Sequence, residues 1–442
     1  MSAPGRQSAR SDTATPKLVY CLLAYHFPPA TSAGAVRAHG LARELAAAGH
    51  EVHVFAPEAG PGVPEGYRVH VVPGRQAGDR LKAALGVAPG ASFRSGLPRP
   101  FAHVRGWVPR LLREWALFPD GARSWSRRCA GAAAAWLATS RCDVLVSTGP
   151  PVSVHVAASR LRGRQARPVW IADWRDLWTL APQYEYGSLR RWRDLRLERA
   201  LMSRADAVTV TTEMSGRILA EAYPGVRILP VYNGYNDRSL ADAPRRWGDR
   251  TQLTITHAGF LYEGQRSVFP LLASISRLIS RGDIGRSRVR LQFAGPPDAA
   301  LSRAIADLGL SDVVDLLGVV PRPAVRRMLA ESDVLVVITW DAVREACLIP
   351  AKTLEYMAAQ RPIVAFNCVP TSELGRLITR TRTGTCVVTD DEIDACLLEL
   401  YQRFLSEGPL VGNPDRAVLA EYTHARMAGQ FDALARSLLA GA

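Results

Sequence analysis

Short β-branched apolar runs alternate with amphipathic stretches along almost the whole chain, the rhythm of parallel strands each followed by a covering helix. The first run, Leu18 to Ala24, leads into a loop rich in Pro, Ser and Gly, and a helical period follows over about residues 35–48, stopped by Gly49. Glu51 to Ala56 predicts the next strand. Asp143 to Ser147, Val169 to Ala172 and Ala207 to Thr211 predict three more, each followed by a polar turn. A second series runs through Leu253 to Ala258, Val289 to Ala294, Val313 to Leu316, Val334 to Ile338 and Ile363 to Phe366. The polar stretch Asp237 to Arg250 separates the two series, and a long helical pattern over residues 417–439 comes last. At 442 residues the chain exceeds one ordinary core. The expected organisation is an α/β protein: a disordered leader over 1–16, a parallel-sheet domain over 17–240, a second over 241–416, and a final helix over 417–442.

Composition narrows the class. Hydrophobic residues at 48% and charged residues at 22% fit a soluble globular protein, and no apolar run is long enough to span a bilayer. The first sixteen residues are polar and lack the apolar stretch of a secretion signal, so a cytoplasmic location is expected. Seven scattered cysteines, with no C-x-x-C pair, favour reduced thiols over disulfides or zinc. The net charge of +14 admits nucleic acid, an anionic membrane or phosphorylated substrates. No nucleic-acid motif accompanies the dispersed arginines, so nucleic acid is not expected as a partner. Between Arg75 and Arg128, eleven basic residues against three acids mingle with Phe93, Phe101, Trp107, Trp115, Phe118 and Trp125. That mixture suits peripheral contact with an anionic membrane at its inner face, and equally a solvated insertion. Only Lys17, Lys82 and Lys352 are lysines, so a retained lysine points to a need for a compact ammonium.

Candidate chemistry sits after the strands. The loop His26-Phe27-Pro28-Pro29-Ala30-Thr31-Ser32-Ala33-Gly34, followed by Arg37, has small residues that permit close substrate approach, or it is a plain βα turn. Ser147-Thr148-Gly149-Pro150-Pro151 with His155 repeats this placement. Asp173-Trp174-Arg175-Asp176-Leu177-Trp178 puts two carboxylates, an arginine and two tryptophans directly after a strand. These can bind a sugar ring and accept a hydroxyl proton, or form a structural Asp–Arg pair. In the second series Gly259 and Gly295 end strands and expose backbone amides, and Arg266 is a cation for a diphosphate. In Ile349-Pro350-Ala351-Lys352-Thr353-Leu354-Glu355, Pro350 opens a helix that carries Lys352 and Glu355 three residues apart on one face. A cation for phosphate beside a carboxylate for ribose hydroxyls suits a nucleoside diphosphate, and a surface salt bridge is the plain alternative.

Taken in order, these segments resemble the family 4 retaining glycosyltransferases of the GT-B fold, from Lys17 to the last helix. The N-terminal resemblance lies in Phe27-Pro28-Pro29 through Arg37 and in Gly49-His50-Glu51-Val52; the linker resemblance lies in Asn233-Gly234-Tyr235. Phe118-Pro119-Asp120 with Trp125, and the Asp173 to Trp178 run, are similar to a subgroup acting on bacterial polysaccharides and glycolipids. The resemblance implies two facing Rossmann-like domains, the last helix crossing back to the first, and sugar transfer from a nucleotide-sugar donor to a glycan, lipid-linked or natural-product acceptor. It implies retention of anomeric configuration without a bound metal. Glu355 resembles the family's ribose-binding glutamate, while its upstream glutamate is replaced here by Cys347, with Glu345 two residues before. The expected nucleotide-sugar site is Gly259, Arg266, Gly295, Ile349, Pro350, Lys352 and Glu355. The expected acceptor site is Ser32, Gly34, Arg37, His155, Arg175 and Trp178. Asp176, Asp173, Arg266 and Lys352 are the catalytic candidates. An epimerase, a non-catalytic scaffold of the same fold and a nucleic-acid-binding protein are the rival readings.

Overall fold

The computed structural model describes residues 16–60, 66–74, 118–162, 168–182, 184, 186–236, 251–259, 261, 267–339 and 346–441. Residues 1–15, the expected dividing stretch 237–250, Arg266, Glu345 and most of the basic aromatic segment lie outside them. The first sheet is built from β1 (Val19–Ala24), β2 (Glu51–Ala56), β3 (Arg68–Val71), β4 (Val144–Gly149), β5 (Val169–Trp174), β6 (Ala207–Val210) and β7 (Ile228–Pro230). Its order is β3-β2-β1-β4-β5-β6-β7, and every pair is parallel. The crossovers are α1 (Ala33–Ala47), α2 (Arg123–Leu137), α3 (Ser153–Leu161), α4 (Ser188–Arg204) and α5 (Glu213–Ala222).

The second sheet contains β8 (Leu253–Ala258), β9 (Val289–Ala294), β10 (Val314–Gly318), β11 (Val334–Ile338), β12 (Ile363–Phe366) and β13 (Gly384–Val387), in the order β10-β9-β8-β11-β12-β13 and again all parallel. Its helices are α6 (Phe269–Arg281), α7 (Ala299–Asp307), α8 (Arg322–Glu331), α9 (Ala351–Ala359), α10 (Glu373–Thr381) and α11 (Asp390–Glu407). The strands read as nearly unbroken apolar runs because helices cover both faces of each sheet, giving two cores per sheet.

The expected last helix is interrupted. A short α12 (Arg416–Leu419) and a 3-10 turn precede α13 (His424–Ala440), which Thr423 caps through its hydroxyl. α13 packs on α1 and buries Met427, Phe431 and Leu434 in the same core as Tyr20, Leu22 and Leu41. The returning chain crosses the linker closely: Tyr235 N–H donates to Tyr422 O, and His424 N–H to Tyr235 O. A Cβ on Gly234 would lie 2.5 Å from the His424 backbone nitrogen, which is why only glycine fits the linker there.

α4 turns its acids inward. Arg190 and Asp194 form a buried pair at 2.9 Å, and Glu198 is fully buried, accepting from the Thr179 hydroxyl. Burial pushes the Glu198 carboxyl up to about 7. A raised folded-state value means the folded protein holds a proton that the unfolded chain has released. The associated stability is complete below the ordinary value of 4.5 and is lost as pH rises through about 7. Glu198→Gln is therefore expected to exceed the parent in stability at pH 8, on the order of 2–3 kcal/mol, with the gap closing near pH 4. Urea midpoints at both pH values check this; equal midpoints at pH 8 would show that the carboxyl ionises at no cost.

Candidate active site

Strand order reverses between β1 and β4 in the first sheet and between β8 and β11 in the second. In an open parallel sheet the connections leave such a point on opposite faces, opening a crevice beyond the carboxyl ends of the strands. Apart from Asp173, which lies within β5, every expected site residue in the described set comes after a strand's carboxyl end, in the loop or helix that follows.

In the first sheet the register sets Thr148, Asp173 and Thr209 in one row across β4, β5 and β6. Both threonine hydroxyls donate to Asp173 at 2.8 Å, and Arg37 donates through Nε and Nη2 at 2.9 and 2.8 Å. Burial would raise the Asp173 carboxyl, but the Arg37 guanidinium and these hydroxyls hold it below the ordinary aspartate value. Arg37 also donates to Tyr232 O and Asn233 Oδ1, and its guanidinium lies 5.6 Å from the Phe431 ring centre. Asp173 and Arg37 are 0% and 1% exposed, and they pin α1, the sheet, the linker and α13 together. The next two residues differ in kind. Arg175 donates to Gly149 O at 2.9 Å and also to Pro150 O, and its guanidinium occupies the space where a Gly34 side chain would begin, 1.4 Å from that Cβ position. Asp176 is exposed and accepts no hydrogen bond from the described residues. The surrounding protein still raises its carboxyl above the ordinary aspartate value, with Arg175 opposing.

His155 is fully buried, 2.8 Å from Ser147 Oγ and stacked on Trp174 at 4.5 Å, with Trp178 stacked on Trp174 in turn. Burial lowers the imidazole to about 3, so it stays neutral. Its place is beneath Trp174, while half-buried Trp178 is the open end of the stack. Ser32 is exposed and caps α1, accepting from Ala35 N–H at 3.4 Å.

In the second sheet, α9 starts at Pro350, which gives no side-chain cap, so the first amides of the helix are left for an anion. Lys352 reaches back to the end of β8, where its ammonium donates to His257 Nε2 at 3.1 Å. The other ring nitrogen of His257 lies 2.9 Å from Val336 O and carries the hydrogen, so Nε2 is the acceptor for Lys352. Gly259, at φ +128°, passes so close that a Cβ would lie 2.7 Å from the ammonium. Gly295 meets Gly259 equally closely, 2.4 Å from its carbonyl oxygen to the added Cβ. Tyr356 from the same helix donates to Ala258 O and accepts from Ala258 N–H. Glu355 is half-exposed and paired with Arg322 of α8 at 2.7 Å. Ile349 and Leu354 line a small cleft with Thr211, Tyr232, Asn233 and Tyr422, so this helix start meets the first domain and linker.

Comparison with known proteins decides the family. Residues 32–234 match the Glycosyl transferase 4-like domain, and residues 252–403 match Glycosyl transferases group 1. The chain belongs to the GT-B glycosyltransferases. No curated protein matches its sequence. Among solved structures it is similar to sucrose-phosphate synthase from Thermosynechococcus elongatus, with 17% identity, a TM-score of 0.62 and coverage of 96% of this chain and 100% of that one. It is similar to a UDP-forming α,α-trehalose-phosphate synthase from Burkholderia vietnamiensis, with 13% identity, a TM-score of 0.62 and coverage of 97% and 100%. WaaG, a glycosyltransferase involved in lipopolysaccharide biosynthesis, matches with 13% identity, a TM-score of 0.51 and coverage of 93% and 94%.

Two features of this glycosyltransferase escaped the sequence. His257 reads as an interior strand position, and only the fold places its ring beneath Lys352. Glu373, at the start of α10, accepts from Met214 N–H of α5 at 2.6 Å and from the Tyr232 hydroxyl at 3.1 Å, joining the two halves. Nearby, Thr212 donates to Cys347 O at 2.8 Å. Cys347 itself packs in the core of the first sheet, and burial raises its thiol above the ordinary value. No signal in the sequence links these residues.

Proposed function

We propose that the chain transfers a sugar, with retention, from a nucleoside-diphosphate sugar to a polysaccharide or glycolipid acceptor at the cytoplasmic face of a membrane. The observation that carries the donor half is the Lys352 ammonium, set by His257 between Gly259 and the uncapped start of α9, with Glu355 one turn further on. A diphosphate placed there meets a fixed cation and helix amides, and its ribose hydroxyls meet a carboxylate. These groups stabilise the charge that develops on the leaving nucleoside diphosphate, with Arg266 as a second cation. The acceptor half rests on Arg175 and Asp176 at the end of β5. Arg175 holds the Gly149-Pro150 loop, and Asp176 accepts the hydrogen bond that orients the acceptor hydroxyl. Retention follows from the resemblance to family 4, and the acceptor class from the similarity of the Asp173 to Trp178 run to enzymes of polysaccharide and glycolipid assembly.

Thermal unfolding with UDP, GDP, ADP and TDP in turn tests the donor site. One nucleotide is expected to raise the melting temperature by several degrees, and Glu355→Ala to remove most of that rise. No rise with any of them would overturn the reading.

A further inference from the structure

The outward face of α4 combines exposed apolar side chains with arginines. Leu189, Trp192, Arg196, Arg199 and Ser203 recur at three- and four-residue spacing and are all exposed, Leu189 by 57% and Trp192 by 54%. Arg191 and Arg204 are exposed beside this stripe, and Arg193 lies over the Phe118 ring at 4.2 Å. The helix has two acids, Asp194 and Glu198, and both are 0% exposed, so its surface charge is wholly positive. Arg196, Arg199 and Arg204 form no salt bridge among the described residues. The Arg196 guanidinium sits 5.0 Å from the Trp192 ring centre, a cation beside an indole that projects outward.

Leu189 and Trp192 stand within the first turns of α4. A helix that follows a strand of a parallel sheet starts at the carboxyl end of that sheet, the end where Arg175 and Asp176 lie. The apolar part of the stripe is therefore nearest the expected acceptor site.

We propose that this face of α4 docks on an anionic lipid surface, with Trp192 and Leu189 at the headgroup boundary and the arginines against the lipid charges. Charge complementarity identifies the partner. A strictly polyanionic strand would use the arginines and stack on Trp192, but would leave Leu189 in water. A lipid interface takes the aliphatic side chain, the indole and the guanidinium together. The docked helix turns the acceptor end of the first sheet toward the bilayer.

Vesicle sedimentation of the full chain tests this and needs neither donor nor acceptor, so a failure leaves the proposed sugar transfer standing. Binding is expected to vesicles of equal parts phosphatidylglycerol and phosphatidylcholine, to weaken with added salt, and to be negligible with phosphatidylcholine alone. Arg196→Glu with Arg199→Glu is expected to weaken the partition at least about 25-fold, roughly fivefold for each lost cation. Leu189→Ala with Trp192→Ala is expected to weaken it without altering the preference for anionic lipid. All four positions are exposed, and unchanged thermal unfolding of each variant confirms that the fold persists. Absence of vesicle binding, equal binding to both compositions, binding unchanged in the variants, or a charge-reversal loss seen only with a single-stranded RNA oligonucleotide would overturn the proposal.

Discussion

Lys352→Met is expected to lower kcat/KM by about 100- to 1000-fold with the nucleotide sugar that the thermal screen identifies. The methionine keeps the apolar stem and removes the ammonium held at the end of β8. The loss should fall mainly on kcat, because charge on the departing diphosphate grows toward the transition state and matters less in the bound donor. A cost in stability accompanies it: the hydrogen bond from Lys352 to His257 Nε2 is lost, at about 1 kcal/mol. Steady-state kinetics on the folded variant separate the two effects. A kcat within a factor of three of the parent would remove Lys352 from the mechanism and leave it as a strut for His257.

Asp173→Ala is expected to destabilise the protein by about 3–5 kcal/mol, the cost of breaking a buried ion pair by removing one partner. Arg37 would remain buried at the joint of α1, the linker and α13, with no carboxylate to neutralise it. Two threonine hydroxyls would lose their acceptor at the same time. Urea unfolding measures the loss, and Asp173→Asn should fall between alanine and the parent because its amide oxygen still accepts. If instead Asp173→Ala retained full stability and lost activity, the aspartate would belong to the chemistry after all.

These two residues show how far the sequence could be read. The central strands were legible because burial on both faces leaves uninterrupted runs such as Val334 to Ile338, whose bounds coincide with the observed strand. The outer strands β3, β7 and β13 were not, since Arg68 to Val71, Ile228 to Pro230 and Gly384 to Val387 are short, only partly buried, and carry polar residues, proline or glycine. The break in the last helix at residues 420–422 went unread because Ala420, Glu421 and Tyr422 carry no breaker. Within the site, the strand-end rule located Asp173, Arg175 and Asp176 but could not rank them. Asp173 differs from Asp176 only in pleat: the strand turns the first carboxylate into the row of Thr148 and Thr209, and the chain has left the strand before the second. Distances along the chain hide such pairings, as with Glu373 and Met214.

The position of α13 also bears on how the protein is made. The first sheet and its helices are encoded before residue 240, yet one face of their core stays open until Met427, Phe431 and Leu434 arrive. A ribosome reaches those residues only after the entire second sheet has been synthesised. The first half must therefore wait, with Leu41 and Tyr20 uncovered, while the second half completes its own cores. A fragment ending at the linker would expose that face permanently, so the halves are separable in architecture but not in expression.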